Sequence, residues 1–317
     1  MRERNDQRLM KKLTIDFQLL LTCVICLVLT SCGCTPAPQT AARNESPQRL
    51  ISTAPSITET LFDIGIGDRI IGDSQFTSYP PEASEIEKIG GLYDANWEKI
   101  VELAPDLVLM LEKNENYRLQ CRKLGIESLM VDHVTMEGVL ASYDLIGERL
   151  GPEVMQMAQA GKTALKEKLD TLQSQSESLQ PVRVLICIDR TRESGKLQNV
   201  FVAGTNPYYQ DVIRWAGGVN VAESTGLAFP NISVEAIVAM NPDVIVDLMM
   251  GVEISPSTGD TGTQEDDLTS DWKTLGDAVN AVKTGRVYTL TESYATIPGP
   301  RAPLFIKKLA EILHSHQ

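Results

Sequence analysis

A nine-residue pattern occurs twice and sets the plan of the chain. Residues 98–106 read Glu-Lys-Ile-Val-Glu-Leu-Ala-Pro-Asp, and residues 235–243 read Glu-Ala-Ile-Val-Ala-Met-Asn-Pro-Asp. Both obey E-x-I-V-x-x-x-P-D, and both run straight into an apolar segment, Leu107–Met110 and Val244–Val246. Proline lacks the N–H that a helix needs and clashes with the preceding turn, so it stops one. A β-branched run directly afterwards suits a strand covered on both faces. Each copy therefore predicts a short helix, a proline stop and a buried parallel strand. Helix–Pro-Asp–strand is also a common α/β connection, so the pattern alone allows either two related lobes or two ordinary crossovers.

At 317 residues there is room for two domains of ordinary size. The first residues stand apart from the rest. Arg2, Arg4, Arg8, Lys11 and Lys12 precede an apolar run of twelve, Leu19–Thr30, which is too short for a stable spanning helix. Residues 1–31 read as an export signal, and Met10-Lys11-Lys12 is an alternative start. The signal ends in Leu29-Thr30-Ser31-Cys32, which resembles the lipobox of bacterial lipoproteins. That resemblance implies lipidation of Cys32 and a tether to the cell envelope without a span. Gly33, not aspartate, follows, so nothing there argues for retention at an inner membrane. Residues 32–48, rich in Pro, Ala, Gln and Asn, read as a flexible stalk.

Beyond the stalk, strands alternate with helices, which predicts parallel sheets covered on both faces. In the first lobe (49–150), Arg49–Ala54 reads as a strand and Pro55 opens a helix with Ser56 and Glu59 as a capping box. Gly151-Pro152 begins a polar helix from Glu153 to about Ser178, a rigid spine within 151–180. The second lobe (181–317) repeats the scheme and closes with a helix, Ala302–His314, that turns Leu304, Ile306, Leu309, Ile312 and Leu313 inward. The tract Glu253–Asp271 is acidic and rich in Ser, Thr and Gly, and reads as a surface loop. The expected fold class is α/β, two parallel-sheet lobes joined by one long helix with a ligand cleft between them.

Catalytic and metal-binding patterns are scarce. There is no G-x-S-x-G elbow, no phosphate-cradling loop ending in Lys-Ser/Thr and no H-E-x-x-H. His133, just past a strand, is a loop histidine that can face a cleft. Cys121 and Cys187 lie in opposite lobes, Cys187 inside an apolar run, so no disulfide is expected between them, and no cysteine spacing suits a metal. A net charge of −13, more acidic once the signal is removed, argues against nucleic acid as a partner. An exported α/β chain without catalytic parts is better read as a binder than an enzyme, although an exported enzyme or sensor on the same fold is the alternative.

Taken in order, the lipobox, the stalk, Arg49–Glu59, Tyr79-Pro80-Pro81-Glu82-Ala83, the two repeat copies, Ala216-Gly217-Gly218-Val219-Asn220 and Arg286-Val287-Tyr288 form one set. That set resembles the solute-binding lipoproteins of ABC importers for cobalamin and ferric siderophores, over nearly all of residues 49–314. The resemblance implies a monomeric, lipid-anchored binder outside the cytoplasm, with only modest lobe closure and no cofactor apart from its transported ligand. It places ligand aromatics at Phe76, Tyr79, Tyr93, Phe201 and Phe229, held by stacking and area burial. Phe201 sits inside an apolar strand, where core packing competes, whereas Phe76 and Phe229 sit in loops and are expected to face each other across the cleft. The cobalamin pattern also has aromatics where this chain has Leu92 and Leu111. An anionic ferric chelate would want arginines, for which Arg190, Arg192 and Arg301 are the candidates. Cobalamin, an iron chelate and haem are not separated by these residues, and bare metal ions rank behind them for want of clustered ligands. The resemblance finally assigns Glu98 and Glu235, one per lobe, to docking on arginines of the importer's membrane permease.

Overall fold

A computed structural model describes residues 46–192, 195–249 and 269–315. The signal, Cys32 and most of the stalk lie outside the described residues, as does the acidic tract except for its last residues. Among the described residues, no helix is long and apolar enough to cross a membrane.

The first lobe contains β1 (Leu50–Ser52), α1 (Pro55–Ile64), β2 (Ile70–Asp73), α2 (Trp97–Glu102), β3 (Leu107–Leu111), α3 (Glu115–Leu124), β4 (Ser128–Val131) and α4 (Met136–Leu150). Its strands form a fully parallel sheet in the order β2-β1-β3-β4. The helix α5 (Pro152–Ser176) then runs 25 residues, about 38 Å at 1.5 Å per residue. It buries one stripe, Val154, Ala158, Leu165 and Leu169, and leaves its other faces polar.

The second lobe contains β5 (Val182–Thr191), β6 (Gln198–Val202), α6 (Pro207–Trp215), β7 (Gly218–Asn220), β8 (Asn231–Ile232), α7 (Val234–Met240), β9 (Val244–Leu248), α8 (Asn280–Lys283), β10 (Val287–Leu290) and α9 (Ala302–His314). Here β10, β9, β5 and β7 are parallel, while β6 and β8 extend the sheet antiparallel. The ten-residue β5 is long enough to pair with β7 at its start and with β6 at its end. The short strands β7 and β8 give no periodic signal in the sequence.

The repeat proves to be structural. Asn96 caps α2 by accepting from the Lys99 N–H, and Ser233 caps α7 by accepting from the Ala236 N–H. Ile100 and Ile237, the shared isoleucines, are both fully buried. The residue before each proline takes a left-handed conformation, Ala104 at φ 45° and Asn241 at φ 42°. The Asp106 N–H then donates to the Arg49 carbonyl and the Asp243 N–H to the Arg183 carbonyl, both at 2.8 Å. In return the Arg49 guanidinium donates to the Leu103 and Ala104 carbonyls, and Arg183 donates to the Met240 carbonyl. One connection, caps included, is thus built twice.

Two local expectations fail. The N-cap of α1 is Ala54, which offers no side chain, and Ser56 lies inside the helix. Glu59 does not reach back to a capping N–H, because its carboxylate is held by Arg301. Leu304 is half exposed, since the buried stripe of α9 runs through Ala302, Phe305, Ile306, Leu309, Ile312 and Leu313, and Leu304 falls on the opposite side. The far end of α1 follows the pattern: Gly65 at φ 92° lets the Ile66 N–H reach the Leu61 carbonyl and the Gly65 N–H the Phe62 carbonyl.

One apolar cluster runs without a break from Leu50, Leu61 and Tyr143 through Val154 and Leu169 of α5 to Val184, Val246 and Phe305. The lobes therefore share part of their core along the spine.

Candidate functional site

In open parallel sheets the loops beyond the carboxyl ends of the strands form the binding crevice, because the chain leaves each strand there and helix N-termini return to it. The expected site aromatics gather on that side. Phe76 follows β2 closely and is 62 % exposed, and Tyr93, at 86 %, lies in the loop that Asn114 beyond β3 ties down through the Leu92 carbonyl. Gly91 makes room for the Phe76 ring: a Cβ there would come within 2.9 Å of Phe76 Cε2.

In the second lobe Phe229 is 47 % exposed and its ring meets Tyr209 edge-on, with centroids 6.2 Å apart. Tyr209 in turn donates to the Ala295 carbonyl in the loop after β10. Phe201 turns outward from β6, 38 % exposed between buried Val200 and Val202, so strand alternation removes it from the core. Leu92 and Leu111 are only partly buried against the core. No ring contact joins Phe76 to Phe229 among the described residues.

Tyr79 and Arg301 come together at the junction of the lobes. The Arg301 guanidinium lies 4.1 Å from the Tyr79 ring centroid and 6.0 Å from that of Tyr294. It donates from Nε to Glu59 Oε2 at 2.9 Å, from Nη2 to Glu59 Oε1 at 2.5 Å, and from Nη2 to the Ser293 hydroxyl at 3.0 Å. Burial pushes the Glu59 carboxyl above its usual range despite the opposing pull of Arg301. An open cavity of roughly 630 Å³ adjoins this group, lined by Glu59, Phe62, Tyr79, Lys168, Arg301 and Leu304.

The arginine expectations are revised accordingly. Arg301 is not a free cation but is engaged by a buried carboxylate. Arg190 does not face the crevice at all: its side chain is 1 % exposed and donates to Asp247 at 2.7 Å and Asp271 at 2.6 Å. Trp272 donates to the same Asp247 oxygen at 2.8 Å, so this acid closes a buried network. Asp271, read from the sequence as the end of a surface loop, is buried in it. Arg192 is partly buried, and its Nε has no hydrogen-bond partner among the described residues. Sequence reasoning missed Glu59, whose spacing from Ser56 pointed to a cap.

His133 is also a core residue rather than a crevice residue. Its ring nitrogens sit 2.9 Å from the Ser56 hydroxyl and 3.0 Å from the Ser142 hydroxyl, and burial depresses its pKa to about 4. The unfolded chain binds this proton at about pH 6.5 and the folded chain at about pH 4, so the stability His133 confers is full above 6.5 and lost as the pH falls towards 4. The stability difference between wild type and His133→Gln should shrink by about 3 kcal/mol between pH 7 and pH 4 in urea titrations. A difference that stays constant over that range would show that His133 titrates normally.

Cys121 and Cys187 are both buried free thiols, and among the described residues no group of His, Cys, Asp and Glu is placed to hold a metal ion. Glu98 and Glu235 both occupy the second position of their helices, α2 and α7. The start of each of these helices lies on the same side as the carboxyl end of the strand that follows it.

Comparison with known proteins gives a consistent result. The model of a family described as periplasmic binding protein matches residues 50–294. An ABC transporter substrate-binding lipoprotein of Bacillus subtilis is 29 % identical over 281 residues, covering 85 % of this chain and 81 % of its own. A vitamin B12-binding protein of Vibrio cholerae is 24 % identical over 283 residues, covering 87 % and 93 %. Among solved structures, the periplasmic vitamin B12 binding protein of Vibrio cholerae superposes with a TM-score of 0.70 at 22 % identity, covering 86 % of this chain and 99 % of that one. A periplasmic heme-binding protein from Roseiflexus superposes with a TM-score of 0.69, also at 22 % identity, over 84 % and 98 %.

Proposed function

The chain belongs to the periplasmic binding protein family, and from that membership we propose that it is the solute-binding lipoprotein of an ABC importer for a large, metal-centred ring or chelate. Cobalamin, haem and ferric siderophores are the members of that class. The observation that supports the class is the set of exposed aromatic rings, Phe76 and Tyr93 from one lobe and Phe229 from the other, in loops beside the strands, with Phe201 turned outward from β6. Exposed rings on a folded surface are poised to bury area against a flat or apolar-rimmed ligand. Relatives named for vitamin B12 and structural neighbours named for vitamin B12 and heme favour the same class. Anionic ligands gain less here than the sequence suggested, because Arg190 and Arg301 are already paired.

Lipidation of Cys32 would hold the protein at the envelope surface, and Glu98 and Glu235 would present one carboxylate per lobe to a basic permease. The net charge of −13 favours encounter with such a partner.

Native mass spectrometry of the purified protein, with an absorbance scan for corrin, haem or iron-chelate bands, tests the ligand class. Titration with cyanocobalamin, haemin and a ferric hydroxamate follows, and failure of all three to bind would reject it. For whichever ligand binds, Phe76→Ala and Phe229→Ala should each weaken affinity by about 1–3 kcal/mol, the scale of one buried aromatic. Unchanged affinity in both variants would remove these rings from the site.

A further inference from the structure

Of the ion pairs between described residues, Glu59 with Arg301 is the one that joins the segment before the spine to the segment after it. The two residues are 242 positions apart. Their side chains are 1 % and 12 % exposed, and the contact is a two-pronged fork from one guanidinium to both oxygens of one carboxylate. Forked geometry fixes orientation as well as distance, which a lysine in the same place would not do.

The surroundings restrict the pair from both sides. On the first lobe, Glu59 projects from the middle of α1, and Tyr79 lies against the guanidinium. On the second, the Ser293 hydroxyl accepts from Nη2, and Arg301 itself stands at the N-cap of α9. Pro298 and Pro300 flank Gly299, where an added Cβ would lie 3.6 Å from Glu59 Oε2 and 3.8 Å from the Ser56 Cα. Two prolines limit the backbone of that crossing, so Arg301 is delivered to α1 with little slack.

We propose that the Glu59–Arg301 pair is a cross-lobe pin that holds the two lobes at one angle and sets the Tyr79 ring at their junction. The lobes share apolar core along α5, and the pin adds a second, polar tie between them from the middle of α1. Burial makes the pin costly to break: with the Glu59 side chain 1 % exposed, a carboxylate left without the fork recovers little hydration. Arg301 acts here as a positioning residue, and the inference stands whether or not the ligand class proposed above is right.

The test uses the ligand-free full chain and the variants Glu59→Gln, Arg301→Lys and the two combined. Arg301→Lys keeps the charge and loses the fork, and so guards against simple misfolding. Solution X-ray scattering reads the spacing of the lobes, and hydrogen exchange reads α1 and the first turn of α9. Each single variant should broaden the distance distribution and speed exchange in those two segments at least ten-fold, leaving β1, β3, β5 and β9 protected as in wild type. The double variant should exchange no faster than the singles. Scattering curves that superpose on wild type would overturn the pin. So would equal loss of protection in both sheets, which marks a role in stability only, or effects that add in the double variant.

Discussion

Asp247→Ala is expected to cost about 3–5 kcal/mol of stability, the largest single loss anticipated in this protein. The acid is fully buried and serves two donors, Arg190 Nε at 2.7 Å and Trp272 Nε1 at 2.8 Å. Its removal takes the 2.7 Å Nε contact from a guanidinium with 1 % exposure, which keeps Asp271 and the Thr191 carbonyl, and deprives the Trp272 indole N–H of the acceptor it has here. Both groups lost water on folding, so neither recovers its hydrogen bond cheaply. Asp247→Asn keeps an acceptor for Trp272 but removes the charge, and should fall between wild type and Asp247→Ala. Urea midpoints of the three proteins decide it. A loss below about 1 kcal/mol for Asp247→Ala would mean that water or a neighbour replaces the carboxylate, and that the network adds little.

The second large effect concerns coupling to a transporter. Glu98 and Glu235 stand at equivalent positions of a structurally repeated helix start, each two residues after a capping side chain. A carboxylate is favoured there by the exposed N–H groups in any case, and the Ser233 hydroxyl and the Glu235 backbone N–H hold Glu235 below the usual carboxylate range. If the two acids also dock on a basic permease, each single alanine substitution should weaken docking roughly ten-fold, about 1.4 kcal/mol. The double substitution should nearly abolish both docking and ligand-stimulated ATP hydrolysis by the reconstituted importer, with ligand affinity unchanged. Added salt should weaken the wild type in the same direction. Lower melting temperatures with docking intact would mean that the carboxylates serve only their own helices.

Local periodicity and punctuation determined the architecture. The E-x-I-V-x-x-x-P-D pattern announces helix, stop and buried strand, and β9 and α9 follow from apolar positions bounded by prolines. These signals are readable because backbone hydrogen bonding and proline sterics act within a few residues. The outward turn of Phe76, Tyr93 and Phe229 was similarly accessible, since rings in polar loops have no core to enter.

Pairings over long sequence distance were decided only by the tertiary structure. Glu59 looks like half of a capping box until a guanidinium 242 residues away takes it. Arg190 looks like a cleft cation until Asp247 and Asp271 enclose it, and His133 looks like a cleft histidine until Ser56 and Ser142 do the same. The facing of Phe201 and Leu304 depends on strand and helix phase, which a single sequence leaves open by one residue. A charged or polar side chain carries no mark of its partner in its neighbours along the chain. Burial assigns the partner, because removal from water makes an unpaired group costly, and burial exists only once the lobes have packed.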